Sequence, residues 1–96
     1  MYNEVQSTEI TGDIRVSDIL SIQTRNSVYQ FFVIDPVRVF GVVTGGIVGE
    51  RAVKGFLCQP VSLKLGCKAR LCVESKCGLR FITTSAITAV RHIRNE

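Results

Sequence analysis

The richest chemistry in this chain belongs to four cysteines, Cys58, Cys67, Cys72 and Cys77, and to a single histidine, His92. Structural zinc sites present thiol pairs two to four residues apart on tight turns. Here eight, four and four residues separate the cysteines, and strand parity sends Cys67 and Cys72 to opposite faces. A Cys72–Cys77 disulfide fails too, because several residues of strand at ~3.3 Å each exceed the ~7 Å reach of a disulfide. The pattern therefore implies reduced thiols, no metal and no cofactor. Cys58 and Cys67 read as small core residues, and Cys77 reads as an exposed, reactive thiol beside Lys76.

His92 stands four residues from the end between Arg91 and Arg94. No Ser or Cys motif supplies a nucleophile for it to activate, so it reads as a surface histidine in a fraying terminus. Asp13, Asp18 and Asp35 lie near turns, where Asp satisfies local backbone donors, and nothing pairs them as acid and base. Thr44-Gly45-Gly46-Ile47-Val48-Gly49-Glu50-Arg51 lacks the Gly-Lys-Ser/Thr ending of a phosphate loop and has no helix behind it. It reads as a flexible connection, with the Gly45–Gly49 stretch as the place where a small molecule would bind. No catalytic residue emerges, which points away from an enzyme.

Charge is the remaining signal. Residues 1–50 carry a net −3 and residues 51–96 a net +7, leaving the chain at +4. Lys64, Lys68, Arg70, Lys76 and Arg80 fall on neighbouring strands or their turns, and this basic face would suit a polyanion. Lys68, Arg70, Arg80 and Arg25 are the candidate nucleic-acid contacts. Binders of single strands also need exposed aromatics on which bases stack. The pattern places Tyr29, Phe31, Phe40, Phe56 and Phe81 in the core, leaving Phe32 and Tyr2 as candidate platforms.

The elements that must position these groups are strands. Thirteen Val, nine Ile and seven Thr bias the 96 residues towards sheet, and glycines punctuate the apolar stretches. The clearest unit is Ile19 to Asp35. A turn at Asn26-Ser27, with Asn at positive φ, would put Thr24 opposite Tyr29, Ile22 opposite Phe31 and Leu20 opposite Val33 on one apolar face. Another strand follows from Arg38 to Thr44. A second hairpin pairs Lys68–Glu74 with Leu79–Thr84 through a Lys76-Cys77-Gly78 loop, bringing Val73 opposite Phe81 and Glu74 opposite Arg80. That register points Ala69, Leu71, Val73, Leu79 and Phe81 inward.

Lys54–Cys58 and Val61–Leu65 read as strands broken at Pro60, and Glu9–Val16 as a strand bent at Gly12. Ala86, Ala89, Val90 and Ile93 match a helical template after Ser85, yet the β-branched content favours a turn and then a closing strand over Thr88–Ile93. The expected fold is all-β, a small antiparallel β-barrel or roll of about six to eight short strands. One domain spans residues 1–96, with 1–8 and 94–96 as loose ends.

Thr24-Arg25-Asn26-Ser27-Val28-Tyr29, Thr44-Gly45-Gly46 and Ile82-Thr83-Thr84-Ser85 together resemble a set of short, functionally uncharacterised bacterial proteins. The resemblance runs over residues 19–93 and implies an all-β chain with a polar hairpin tip ahead of a Tyr-bearing strand. The opening residues are acidic and polar, and no apolar run nears the ~18 residues of a membrane span. Taken together, the expectation is a cytoplasmic, non-enzymatic binding or interaction module. Its partner is another protein or a second copy of itself, or alternatively a nucleic acid; no membrane is involved.

Overall fold

The computed structural model describes residues 2–5, 9–10, 13–58 and 63–95. Its strands are β1 (Tyr2–Val5), β2 (Glu9–Ile10), β3 (Ile19–Thr24), β4 (Val28–Asp35), β5 (Phe40–Gly45), β6 (Gly49–Leu57), β7 (Leu63–Lys64), β8 (Lys68–Ser75) and β9 (Gly78–Asn95). A single turn of 3-10 helix at Gly46–Val48 joins β5 to β6. Strands β9, β3, β4, β5, β6 and β8 pair antiparallel in that order, and β8 returns to β9, closing a six-stranded barrel. The β-branched bias has produced the all-β barrel it implied. No helix among the described residues is long and apolar enough to cross a membrane.

Closure depends on the length of β9, whose eighteen residues serve different neighbours in succession. Gly78 to Ala86 pair with β8, Ile87 to Ile93 with β3, and His92 to Asn95 with β1. Following ladder neighbours inside the barrel shows why so long a strand is needed. The row runs from Asp18, whose carbonyl accepts the Val33 N–H, through Val33, Gly41, Gly55 and Val73 to Arg80. It starts beside the His92 half of β9 and ends in the other half, which is the stagger a closed barrel requires. Gly41 and Gly55 let the sheet bend along this row, since a Cβ on Gly41 would lie 1.9 Å from the Phe32 carbonyl oxygen.

Inside lie Leu20, Ile22, Phe31, Val33, Val43, Leu71 and Ile87, all essentially without solvent contact. Both hairpins differ in register from the sequence expectation. In the first, Leu20 faces Phe31 and Ile22 faces Tyr29, a shift of two residues. The Thr24 hydroxyl accepts from the Ser27 N–H and donates to the Ser27 carbonyl, so the turn is Arg25-Asn26. Asn26 is not among the residues with positive φ. A two-residue shift keeps parity, and the apolar set stays inward.

The second hairpin is displaced by one residue: Ser75 faces Gly78, Glu74 faces Leu79 and Val73 faces Arg80. Its turn is Lys76-Cys77, left by Gly78 at φ 109°, and the Ser75 hydroxyl closes it on the Gly78 carbonyl. An odd shift reverses faces. Leu79 and Phe81, expected inside, point outward, while Ile82 and Thr84 turn in. Thr84 accepts from the Ala69 N–H where the β8–β9 ladder is interrupted, so the bulge leaves no buried donor stranded.

Other expectations change in smaller ways. Thr88–Ile93 is strand, but it continues β9 without a preceding turn. The N-terminal strand comprises only Glu9–Ile10, paired with β7, and Asp13–Ser17 is irregular. Tyr2–Val5, taken as part of a loose end, forms β1 on β9. The break at Pro60, the start of the Val61 strand and the bend at Gly12 fall outside the described residues.

Candidate binding surface

The slip in the second hairpin creates the most distinctive surface feature. Phe40 stands opposite Phe56, Phe56 opposite Cys72, and Cys72 opposite Phe81, a lateral row across β5, β6, β8 and β9 on the outside of the barrel. The Phe40 and Phe56 rings pack with centroids 6.4 Å apart and planes tilted by 44°. At the other end Phe81 is 70% exposed and Leu79, the neighbouring outward residue on β9, is 62% exposed. Cys72 faces outward but is buried, because its ladder neighbours Phe56 and Phe81 flank it on both sides. A groove of about 400 Å³, lined by Asp35, Arg38, Phe40 and Phe56, ends the row. Asp35 shapes that end, accepting the Val37 and Arg38 N–H groups in the turn out of β4.

Cations frame the row. Lys54, two residues from Phe56 on β6, and Arg70, two residues from Cys72 on β8, alternate to the same outer face and are exposed. Neither forms an ion pair with a described residue. Arg38, with a side chain 85% exposed, reaches Asp35 only at 3.9 Å, an ion pair worth little in water. Glu74 is the carboxylate on β8's outer face, opposite Leu79 and not Arg80.

The four basic residues picked out from the sequence divide between sites. The Arg25 N–H donates to the Ala86 carbonyl, and Ala86 stands opposite Lys68, so Arg25 and Lys68 flank Ala86. Arg70 follows two residues along β8, opposite Thr83. Arg80 stands opposite Val73 and so takes the face opposite to Arg70. Phe32, the expected platform, is exposed on the outer face of β4, in a lateral row with Val42 and Lys54, and it is joined on that face by exposed Phe81 and half-buried Phe56, both of which the sequence pattern assigns to the core. For Phe81 the one-residue change in register is the reason, with Gly78, whose positive φ suits a turn exit as well as a bulge, as its local signal; Phe56 faces outward because Gly55 and Leu57 take the inner face of β6.

All four cysteines are free. Cys67, expected in the core, is exposed, and Cys77 is exposed at the turn. No group of three His, Cys, Asp or Glu side chains that could hold a metal occurs among the described residues. The Gly45–Gly49 connection is ordered as the 3-10 turn, with Gly46 against the Tyr29 ring and the Ile47 N–H donating to the Tyr29 hydroxyl at 3.4 Å. It lies at the opposite ends of β5 and β6 from the groove.

His92 is not a surface residue: it is 5% exposed, and its Nε2 lies 2.7 Å from Oδ2 of Asp18, which is 0% exposed. Asp18 also accepts the Arg15 N–H at 3.0 Å and the Asn95 N–H at 3.1 Å. Burial raises its carboxyl pKa, but the hydrogen bonds from His92, Arg15 and Asn95 and the His92 charge outweigh this and hold it below the ordinary value. The ionised carboxylate only accepts, so Nε2 carries the proton. Both carboxylate oxygens are thus engaged with the protein, the pattern of a clamp joining the start of β3 to the end of β9.

Comparison with family models, curated proteins and solved structures returns no match to this chain. Any functional reading therefore rests on the chain's own geometry.

Proposed function

We propose that this protein is a non-enzymatic binding module whose recognition surface is the outer face of β5, β6, β8 and the first half of β9. One observation carries the reading: Phe81 and Leu79 are mostly exposed at the end of an aromatic row continuing through Phe56 to Phe40. Leaving large apolar groups in water contributes nothing to the fold, and contiguous patches of this kind mark interaction sites. Lys54 and Arg70 beside the row, with no ion pair to a described residue, suit a partner that brings flat or apolar groups together with negative charge. The buried Asp18–His92 pair belongs to the barrel's closure and supplies no reacting group to this face.

The test is whether the patch is dispensable for folding. Replacing both exposed residues, Leu79→Ser with Phe81→Ser, should lower the urea-unfolding free energy by no more than about 1–2 kcal/mol, for two weaker strand formers and lost cover over Cys72. Phe31→Ala in the core should cost about 3–5 kcal/mol. A loss in the double variant comparable to that of the core variant would make the face structural and end this reading.

A further inference from the structure

The binding-module reading leaves the partner's chemistry open, and the arrangement of rings and cations narrows it. Phe56 and Phe81 lie on strands either side of β8, roughly 10 Å apart as two strand spacings. Between them the outer face of β8 presents Cys72, with Arg70 two residues to one side and Glu74 two residues to the other, while Lys54 lies two residues from Phe56 on β6. Flat rings spaced along a surface with a cation on either side of the row, and outnumbering the one carboxylate of β8, match a polymer that repeats a flat base and an anionic phosphate. The groove at Phe40 and Phe56, about 400 Å³ with Arg38 and Asp35 at its edge, gives such a strand a recess for one base.

We infer that the ligand is a single-stranded nucleic acid, with Phe81 and Phe56 stacking on bases and Arg70 and Lys54 neutralising phosphates. This inference rests on the binding-module reading and specifies its partner. Single strands fit better than duplex, because bases stacked within a helix cannot lie on the rings. An acidic peptide would use the same cations, but would gain more from a deep aliphatic pocket than from a laterally spaced row of rings. Because the cations here are few, affinity should be moderate and the rings should carry a large share of it. Arg80, on the other face of its hairpin, and Arg25, on the far side of Ala86, are outside this footprint.

The experiment is fluorescence anisotropy with a labelled twelve-nucleotide oligothymidine and oligouridine, a duplex of equal length, and an acidic Phe-containing peptide, each at 50 and 200 mM salt. The expected result is saturable binding of the single strands, tighter than of the duplex, and weakened about 7-fold over that salt range for two phosphate contacts by Lys54 and Arg70. Phe81→Ala, whose fold is checked by its urea midpoint, should weaken single-strand binding about 5- to 100-fold, the range found for losing one stacking platform. Arg70→Gln should lower the slope of log affinity against log salt by roughly 0.7, while Arg80→Gln should change neither affinity nor slope. No saturable binding at 50 mM salt, binding indifferent to Phe81→Ala, or preference for duplex or peptide would each overturn the inference. Failure here with the Leu79/Phe81 double variant still stably folded leaves a binding face with another partner. Collapse of that variant's stability removes both readings.

Discussion

Asp18 accepts hydrogen bonds from His92, Arg15 and Asn95 while shut off from water, so much of the closure's polar cohesion converges on one carboxylate. Its folded-state pKa lies below the ordinary value of 3.8, which means that folding favours the ionised form. The contribution is complete above the unfolded pKa and disappears as pH falls through the folded one. Acid should therefore weaken the protein progressively below about pH 4. Asp18→Asn should cost about 2–4 kcal/mol at neutral pH, because an amide offers one acceptor oxygen where the carboxylate uses two and turns an NH₂ towards existing donors. It should also flatten the acid limb. Urea midpoints between pH 2.5 and 7 check both effects; a variant whose profile runs parallel to the parent would place the acid sensitivity in other carboxylates. Nothing near His92 in the chain announces this contact, since its partner lies 74 residues away.

Strands and turns were legible to different depths, and parity explains the difference. The first hairpin moved by two residues and kept every inward side chain, so Leu20, Ile22, Phe31 and Val33 were assigned to the core despite the wrong partners. The second moved by one, and that alone carried Leu79 and Phe81 from the interior to the surface. Alternation on β9 was a poor guide there because Phe81 and Ile82 are both apolar, and side-chain hydrogen bonds at Thr24 and Ser75 set the turns. Glycine roles were similarly hidden, since the interstrand approach that demands Gly41 exists only once β4 and β5 are paired. Gly41→Ala should cost more than about 2 kcal/mol, because the new Cβ meets the fixed Phe32 backbone carbonyl rather than a movable side chain. Gly49→Ala has open space around it but a backbone at φ 86° and ψ −165°, a region that essentially only glycine adopts, and should cost about 1–3 kcal/mol of strain. Denaturation of the two variants checks this, and a Gly41→Ala loss under about 1 kcal/mol would mean that the β4–β5 pair yields to the added methyl group, since Gly41 has no positive φ to strain.

At the scale of the molecule, composition and apolar alternation were enough to reach an all-β barrel, whereas the closing geometry and the outer aromatic row depend on several strands at once. Phe40, Phe56, Cys72 and Phe81 are neighbours only because three successive ladders hold register, and no local window of sequence contains that information. The same ladders assign unequal weight to the two ends of the chain. Tyr2, Asn3 and Glu4 of β1 are exposed and lie in register along the edge of β9, where Glu4 meets Arg91. The second half of β9 instead supplies Ile87, Val90 and His92 to the interior and forms the seam with β3. Deleting residues 2–5 should lower the unfolding midpoint yet leave one cooperative transition and a native-like amide spectrum, because the six-stranded barrel remains closed. Ending the chain after Ile87 should abolish that transition, because it removes most of the β3 seam, exposes Leu20 and Ile22 and leaves Asp18 buried without its His92 and Asn95 donors. Circular dichroism melts and two-dimensional amide spectra of the two truncations distinguish these fates; a cooperative, folded chain ending at Ile87 would mean that the β3–β9 seam does not hold the barrel together.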